Sequence, residues 1–380
     1  MHGDVIELTS RLVEIDSVNP SLVPGGRGEV EMARFVVEWA RHTGLQADVL
    51  EATRGRPSVV VRAPGWGGGR TLMLCAHTDT VGVEGMAGPH EPRVEGDRLH
   101  GRGAYDMKSG LAAALLAVRE LARAGLAGDV VVAAVADEEH SSLGIQDVLA
   151  RVRADACVVT EPTALDIVIA HKGFAWWEIE AIGRAAHGSR PDLGVDAITA
   201  LAPVLRELAL LERELAKKAH PLLGPASVHA STITGGVELS TYPERCVLGI
   251  ERRTLPEEGE VRLQAELDRL AAAGRERRVP DTAAGIVARS TLVRRPFSVE
   301  PDEPIVLLVG QEAERRLGRA PRRAGHAAWM DAAFTSAAGI PTVVFGPDGA
   351  GAHALEEWVD LASVRTCAEV LLATAEAFCA

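Results

Sequence analysis

Apolar runs and helical patterns alternate along the first part of the chain. The runs PSVVVRA, TLMLCAH, DVVVAAVA and ACVVT indicate buried strands, and a helix from about Lys108 to Ala124 and another near Leu143 lie between them. Strands and helices that take turns are typical of three layers built around a mostly parallel sheet. The pattern therefore predicts an α/β fold for this part of the chain.

The middle of the chain follows a different pattern, with β-strands and helices in the order β-α-β-β-α-β. This order is the split pattern of a ferredoxin-like module. It is formed by FAWWEIEAIG, a long helix from about Val195 to Ala219, SVHASTITGG, CVLGIERRT, a helix from Glu260 to about Ala273, and GIVARSTLV.

The last part of the chain returns to the first pattern, with a helix from about Ile305 to Leu317, the strand GIPTVVFGP and a final helix from Leu361. The second module therefore interrupts the first. We expect a discontinuous α/β domain of residues 1–173 and 290–380 with an inserted ferredoxin-like α+β domain of residues 174–289.

Composition excludes several classes of partner. The net charge of -13, from 53 acidic and 40 basic residues, argues against nucleic acid or an anionic membrane. No uncharged apolar run reaches the roughly 18 residues of a membrane span, and the N-terminal segment lacks the basic and apolar regions of a signal peptide. The five cysteines form no C-x-x-C pair, which indicates neither a disulfide framework nor a thiolate metal site. We expect a soluble, cytoplasmic protein.

Ionisable residues stand where the predicted strands end. His77 and Asp79 follow TLMLCA and share one face of the strand, because side chains at i and i+2 point the same way. Ligands of open α/β sheets gather at the carboxyl ends of strands, so these residues could hold and orient a metal ion. A solvated histidine beside a turn aspartate is the alternative.

Further carboxylates follow the same rule. Asp106 lies in GRGAYDMKSG at the start of a helix, where it could equally be an N-cap. Glu138 and Glu139 follow Asp137 after a buried strand, and Glu161 ends the next one. Of two adjacent glutamates one can bind a metal while the other acts as a general base, although an acidic surface loop is the simpler alternative. Four such strand ends together favour a metal site.

The motifs HTDT, GRGAYDMKSG, ADEE, EPT, AHKG and GPDGAGAHALEEWVDL resemble, in order and over nearly the whole chain, those of the M20 metallopeptidases. This family includes acetylornithine deacetylase, succinyl-diaminopimelate desuccinylase, aminoacylase-1 and glutamate carboxypeptidase. The resemblance implies a catalytic domain formed by residues 1–173 and 290–380, and a lid and homodimerisation domain formed by residues 174–289.

The resemblance also implies a site for two divalent metal ions. Asp106 would bridge both ions, His77 and Glu161 would bind one, and Glu139 and His353 would bind the other. Asp79 would orient His77. Glu138 would act as the general base on a water that bridges the metals. Imidazole and carboxylate ligands without thiolate suit zinc, with cobalt or manganese as substitutes.

Four further residues are expected to act on the substrate. The resemblance implies that His187 donates to the oxyanion in the partner subunit's active site and that Arg253 binds a substrate carboxylate. A histidine with local contacts and a solvated strand arginine are the alternatives. Ser240 stands where many relatives have asparagine, and Asp331 in GHAAWMDAAF matches the usual Gly-Gly-(Ser/Thr)-Asp-Ala only loosely. These two departures weaken the assignment of a particular substrate.

The leading hypothesis is a dinuclear metal-dependent hydrolase that cleaves the amide of N-acyl amino acids, as in the acetylornithine deacetylase and desuccinylase branch. A carboxypeptidase or dipeptidase that acts on short peptides is the alternative. A catalytically silent homologue that serves as a binding module is a third, although all five proposed ligands and Glu138 are present.

Overall fold

The computed structural model describes residues 2–122, 124–275 and 285–380. Ten α-helices lie in these ranges, and a π-helical turn (Ala104–Lys108) precedes the third. The helices are α1 (His2–Glu14), α2 (Val30–His42), α3 (Ser109–Leu121), α4 (Leu143–Arg151), α5 (Ala197–Ala200), α6 (Ala202–Leu215), α7 (Glu260–Arg275), α8 (Pro304–Leu317), α9 (Ala332–Ala337) and α10 (Leu361–Phe378).

The strands of the same ranges include several of only two or three residues. They are β1 (Gln46–Leu50), β2 (Ser58–Ala63), β3 (Leu72–His77), β4 (Arg93–Glu95), β5 (Arg98–His100), β6 (Val130–Val135), β7 (Ala156–Val159), β8 (Ile167–His171), β9 (Gly173–Ile182), β10 (Ala219–His220), β11 (Gly224–Pro225), β12 (Ser227–Gly235), β13 (Arg245–Thr254), β14 (Gly285–Arg294), β15 (Phe297–Ser298), β16 (Arg323–His326), β17 (Thr342–Val344), β18 (Gly349–Ala350) and β19 (Trp358–Asp360).

The chain divides into two compact units. The first consists of residues 1–169, 299–324 and 330–380, and the second of residues 170–298 and 325–329. The first unit is therefore discontinuous, because the chain leaves it within β8 and returns at residue 299. Whether the units serve as a catalytic domain and a lid stays a prediction.

The first unit is built on a mixed sheet in which seven strands follow the order β1-β2-β6-β3-β7-β17-β8. The four central strands, β6, β3, β7 and β17, are parallel to one another, whereas β1, β2 and β8 are antiparallel to their neighbours. Every residue of β3, β6 and β7 is buried. Strands covered on both faces are continuous apolar runs, which explains the sequences LMLCAH and VVVAAV.

Helices of small and aliphatic residues cover this sheet. α3 has the sequence SGLAAALLAVREL and is buried almost all round, and it packs against α10. Its alanines allow close approach; at Gly110 a Cβ atom would lie only 2.1 Å from the main-chain oxygen of Thr160, so a larger residue does not fit there. The predicted α/β class of this unit is confirmed.

The second unit has an antiparallel sheet in the order β12-β13-β9-β14, and α6 and α7 pack against it. Residues of β13 alternate between buried and more exposed positions, as expected where one face of a sheet is covered. The predicted ferredoxin-like order is confirmed. The single helix predicted over Val195–Ala219 is instead α5 and α6, and Pro203 lies in the first turn of α6, where its missing N–H costs no hydrogen bond.

Across the described ranges, no helix combines the length and the apolar character that crossing a membrane requires.

Candidate metal centre

His77 ends β3 with its ring 1% exposed and its two nitrogens in different surroundings. Nδ1 lies 2.9 Å from the main-chain oxygen of Asp79, which can only accept, so Nδ1 donates. Nε2 lies 3.0 Å from Asp106 Oδ1 and 3.7 Å from Glu161 Oε1. A neutral ring therefore aims a lone pair at two carboxylates, an arrangement that either a proton or a cation must stabilise.

The carboxylate of Asp79 acts on the next strand end as well as on His77. Its Oδ1 lies 3.6 Å from His77 Nδ1, farther than the main-chain oxygen of Asp79. Its oxygens accept hydrogen bonds from the main-chain N–H of Glu138 (3.1 Å) and of Glu139 (3.2 Å). Asp79 thus orients the histidine chiefly through its backbone and holds the two glutamates through its side chain.

Asp137 differs from the two glutamates that follow it, because its side chain belongs to a buried network of hydrogen bonds and ion pairs. Asp137 adopts a positive φ of 68°, so residues 137–140 form a turn and not the extended strand end that the sequence suggested. Its Oδ1 accepts from Arg56 (2.7 Å) and from Asn19 (3.0 Å). Arg56 also pairs with Glu29 (2.6 Å). A cationic side chain thus stabilises the first acid of the run, and Glu138 and Glu139 are left to the site.

Asp106 joins two sets of ligand candidates. Its Oδ1 contacts His77, and its Oδ2 lies 3.5 Å from His353 Nε2, which also lies 3.1 Å from Glu139 Oε2. Asp106 is not an N-cap, because α3 begins three residues later and its N-cap residue, Lys108, makes no side-chain capping hydrogen bond.

The site contains two groups of potential ligand atoms, and within each group all the atoms lie within 4.8 Å of one another. The first contains His77, Glu138 and Glu161, and the second contains His77, Asp106 and Glu139. His353 is outside both groups, and its side chain is 55% exposed. It nevertheless contacts members of the second group. The structure therefore brings together all five proposed ligands and the proposed base.

The protonation of these groups reflects the crowding of buried carboxylates. Burial raises the pKa of Glu138 well above its ordinary value, and the charges of Glu161 and Asp331 add to the rise. Burial likewise raises the pKa of Glu161 and of Glu139, with the charge of Asp106 adding to both. Three carboxyl groups therefore hold protons more tightly than usual.

The pKa values of His77, His353 and Asp106 shift in the direction opposite to the one that burial alone would cause. Hydrogen bonds to Asp106 and then Glu139 raise the pKa of His353 to about 10. Burial opposes a charged His77, but the hydrogen bond to Asp106 and nearby carboxylates raise its pKa well above the ordinary value. Despite burial, hydrogen bonds from His353 and His77 lower the pKa of Asp106. These shifts all favour positive charge next to Asp106.

The donor set fits divalent metal ions. Imidazole and carboxylate groups are ligands of zinc and of similar ions, and several buried carboxylates in contact repel one another unless a cation is bound. Glu139 Oε1 is buried and accepts no hydrogen bond from any residue of the described ranges. A cation beside Asp106 would satisfy this oxygen.

Asp331, expected on the substrate side, lies in the first unit at the start of α9 and is only 2% exposed. It is close enough to Glu138 and Glu161 to raise their pKa values, after burial. It therefore lies among the buried carboxylates.

The other three substrate candidates belong to the second unit. His187 and Ser240 are exposed neighbours, since Gly188 N donates to Ser240 O (2.7 Å). Arg253 is partly exposed, pairs with Glu251 (2.6 Å) and lies over the ring of Phe174.

The adjacent Arg252 points to the opposite face of β13, as the strand pattern predicts. It is fully buried and pairs with Glu258 and Glu266.

Sequence reasoning missed four buried residues that support the centre. Asn19, Arg56 and Glu29 form the network around Asp79 and Asp137, and Glu357 accepts hydrogen bonds from the Asp106 loop. Their partners are distant in sequence, and each residue alone resembles an ordinary loop or surface position. The only indication in the sequence was the run of adjacent acids Asp137, Glu138 and Glu139, because such negative charges require a positive group nearby.

The chain is similar to known proteins in sequence and in fold. The sequence model of Peptidase family M20/M25/M40 matches residues 73–377. A peptidase M20 domain-containing protein of Schizosaccharomyces pombe is 32% identical over 244 residues, which are 62% of this chain and 56% of that protein. An acetylornithine deacetylase of Proteus mirabilis is 26% identical over 395 residues, covering 98% of this chain and 96% of its own.

A solved structure shares the fold. The M20 family metallo-carboxypeptidase of Sulfolobus solfataricus has a TM-score of 0.78 and 20% identity, over 98% of this chain and 99% of that one. The family match covers most of the chain, so the resemblance seen in the motifs is confirmed. The chain belongs to peptidase family M20/M25/M40, a family of hydrolases.

Proposed function

We propose that this protein is a dinuclear metal-dependent hydrolase that cleaves the amide bond of N-acyl amino acids. The observation that carries the proposal is the position of Asp106, whose two carboxylate oxygens face His77 on one side and His353 on the other. A carboxylate placed between two histidines suits a ligand shared by two cations.

In this arrangement His77 and Glu161 would hold one ion, Glu139 and His353 the other, and Asp106 both. When bound, such ions supply Lewis acidity for an amide carbonyl and lower the pKa of water at the site. Zinc suits this donor set, and cobalt or manganese could replace it.

Glu138 is the proposed general base. Its carboxyl group lies with His77 and Glu161 among the ligand candidates, and its main chain is fixed by Asp79. Burial raises its pKa in the metal-free protein, and nearby cations would lower it again, so that Glu138 could take a proton from water and pass it to the leaving amine.

The second unit would supply substrate contacts and the dimer interface. β12 lies at the edge of its sheet, and the loop after it exposes Val237 and Leu239 almost completely. Exposed apolar side chains beside a strand edge suit contact with a second copy. Ser240 belongs to the same loop and His187 lies beside it, which supports an oxyanion role for His187 in the partner's site. Arg253 would bind a substrate carboxylate.

Metal content and substrate screening on one sample would test the proposal. We expect about two zinc, cobalt or manganese ions per chain by mass spectrometry, and hydrolysis of N-acetyl or N-succinyl amino acids. Protein that contains no metal, and that stays inactive after zinc or cobalt is added, would contradict it.

A peptidase activity is the second candidate, supported by the fold shared with the metallo-carboxypeptidase of Sulfolobus solfataricus. The same screen should include dipeptides and carboxypeptidase substrates. The proposed chemistry at the amide bond is the same for both candidates, so only the choice of substrate separates them. Turnover of peptides without turnover of acyl amino acids would select this alternative.

A further inference from the structure

Glu357 follows His353 by four residues and makes an unusual number of hydrogen bonds. It is 1% exposed. Its Oε2 accepts from Arg102 Nη1 (2.6 Å) and Gly103 N (3.0 Å), and its Oε1 accepts from Tyr105 N (2.9 Å) and Asp106 N (3.0 Å). Three of the four donors are main-chain groups of the loop that carries Asp106.

The backbone of this loop is irregular, which explains why it needs such a partner. Gly103 has a φ of 80°, and Asp106 has φ -116° and ψ 97°, far from helical values. Main-chain N–H groups outside regular structure are costly to bury without an acceptor. The Glu357 carboxylate replaces the missing helical acceptors and so determines where Asp106 lies.

Arg102 links the same carboxylate to the loop that carries His353. Its Nη2 donates to the main-chain oxygens of Ala354 (2.9 Å) and Gly82 (3.2 Å), while Nη1 pairs with Glu357. His353 itself is half-exposed and has a positive φ of 61°. A single buried ion pair therefore connects the loops of Asp106 and His353.

The opposite side of the centre is held differently. His77 ends β3, and β3 pairs with β6 and β7 along its length. Glu161 follows β7 by two residues and is buried. The sheet fixes these two ligand candidates, and neither makes a hydrogen bond to Glu357 or Arg102 among those found in the described ranges.

From this asymmetry we propose that Glu357 is a positioning residue which, through Arg102, sets Asp106 and His353 at the spacing that a second cation requires. The inference rests on the proposed dinuclear function. According to this proposal, the ion pair of Glu357 and Arg102 determines how tightly a cation binds at the position formed by Asp106, Glu139 and His353. The position at His77 and Glu161 shares Asp106 with it but has two ligand candidates held by the sheet, so it depends less on the pair.

Titration of the metal-stripped full-length protein with Co²⁺, followed by absorption and calorimetry, tests the proposal. In Glu357→Gln the amide group cannot accept at both of its atoms, and Arg102 loses its counter-ion. We expect the first equivalent of Co²⁺ to lose little affinity and the second to bind about 10–100-fold more weakly. Excess Co²⁺ should restore kcat with little change in KM.

The adjacent Glu356 provides a matched control. It is exposed, so Glu356→Gln removes the same charge from the same segment without touching the loop of Asp106. We expect this variant to bind both equivalents with wild-type affinity.

A second variant separates positioning from folding. Arg102→Lys keeps the charge next to Glu357 but loses the fork that reaches Ala354 and Gly82, so it should also weaken the second equivalent selectively. The proposal is overturned if Glu357→Gln and Arg102→Lys bind both equivalents normally, or lose both equally. Wild-type protein that binds no Co²⁺, or only one equivalent, would instead contradict the dinuclear function itself.

Discussion

In the first unit His77, Asp79 and Glu161 are buried at strand ends, whereas in the second unit His187 and Ser240 lie on two adjacent exposed loops. His77 and Asp79 each have several polar partners, and Glu161 Oε1 lies 3.7 Å from His77 Nε2. His187, by contrast, makes its ring contact within its own turn, with Ser189 Oγ at 2.8 Å.

The difference shows how the two proposed roles depend on structure. Ligands for a cation must already be in place, because their mutual repulsion prevents them from assembling on demand. A residue that contacts the substrate or a second subunit can remain exposed until that contact forms. The first unit therefore holds its ligand candidates in place, whereas the roles proposed for the exposed side chains of the second unit would require a bound substrate or a second subunit.

Replacing Glu138 should have the largest effect. Glu138→Gln keeps the shape of the side chain but removes its ability to take a proton, so we expect kcat to fall by about 10²–10⁴-fold. Metal content, measured by mass spectrometry, should stay at the wild-type value. Full activity in this variant would refute its role as the base.

Replacing His187 tests whether the exposed set acts across subunits. His187→Ala should lower kcat by about 10²–10³-fold, the cost of one oxyanion donor. If His187 acts in the partner's site, random re-association of His187→Ala with Glu138→Gln subunits should recover about a quarter of wild-type activity, since half the dimers then have one complete site. Two inactive variants that stay inactive when mixed, although they exchange subunits, would place the role of His187 within its own subunit, and wild-type activity of His187→Ala would place it outside the chemistry.

The pH dependence of metal binding tests the buried set. In the metal-free protein His353 keeps its proton up to a pKa of about 10, and the pKa values of Glu138, Glu139 and Glu161 are also raised. A bound cation must displace these protons, so affinity should rise with pH, by about tenfold per unit for each proton released, and level off near pH 10. Calorimetry in two buffers of different ionisation enthalpy measures the protons released; none released between pH 6 and 8 would contradict these protonation states.

The smallest effect is expected at Ser240. Ser240→Asn introduces on an exposed loop the amide side chain that the family resemblance leads us to expect there. Because the position is exposed, the free energy of unfolding should change by less than about 0.5 kcal/mol. One added hydrogen bond, worth about 1 kcal/mol, would lower KM about fivefold. Steady-state kinetics on the best substrate measures this, and an unchanged KM would remove Ser240 from the substrate contacts.

Much of the fold and part of the centre could be predicted because they depend on local pattern. The runs LMLCAH and VVVAAV indicate buried strands, and His77 and Glu161 are conspicuous because they interrupt such runs. The break between α5 and α6 was missed, although Pro203 marks it.

The supporting network could not be predicted, because its hydrogen bonds join distant parts of the sequence. Asn19 and Asp79 are 60 residues apart, and Glu357 and Gly103 are 254 apart. Each of these residues is ordinary in its own segment and acquires meaning only when the sheet brings the segments together. The main-chain contribution of Asp79 is likewise invisible in sequence, since any residue has a carbonyl.

The discontinuity of the first unit has a consequence for synthesis on the ribosome. Residues 330–380 emerge only after the whole second unit, so until then the nascent first unit lacks β17, which pairs with β7, and α10, which covers α3. Until then an open strand edge and an apolar helix face are exposed to other chains, the state in which chaperones are needed. The late segment also brings His353 and Glu357. Completion of the core and completion of the candidate centre therefore depend on the same late segment.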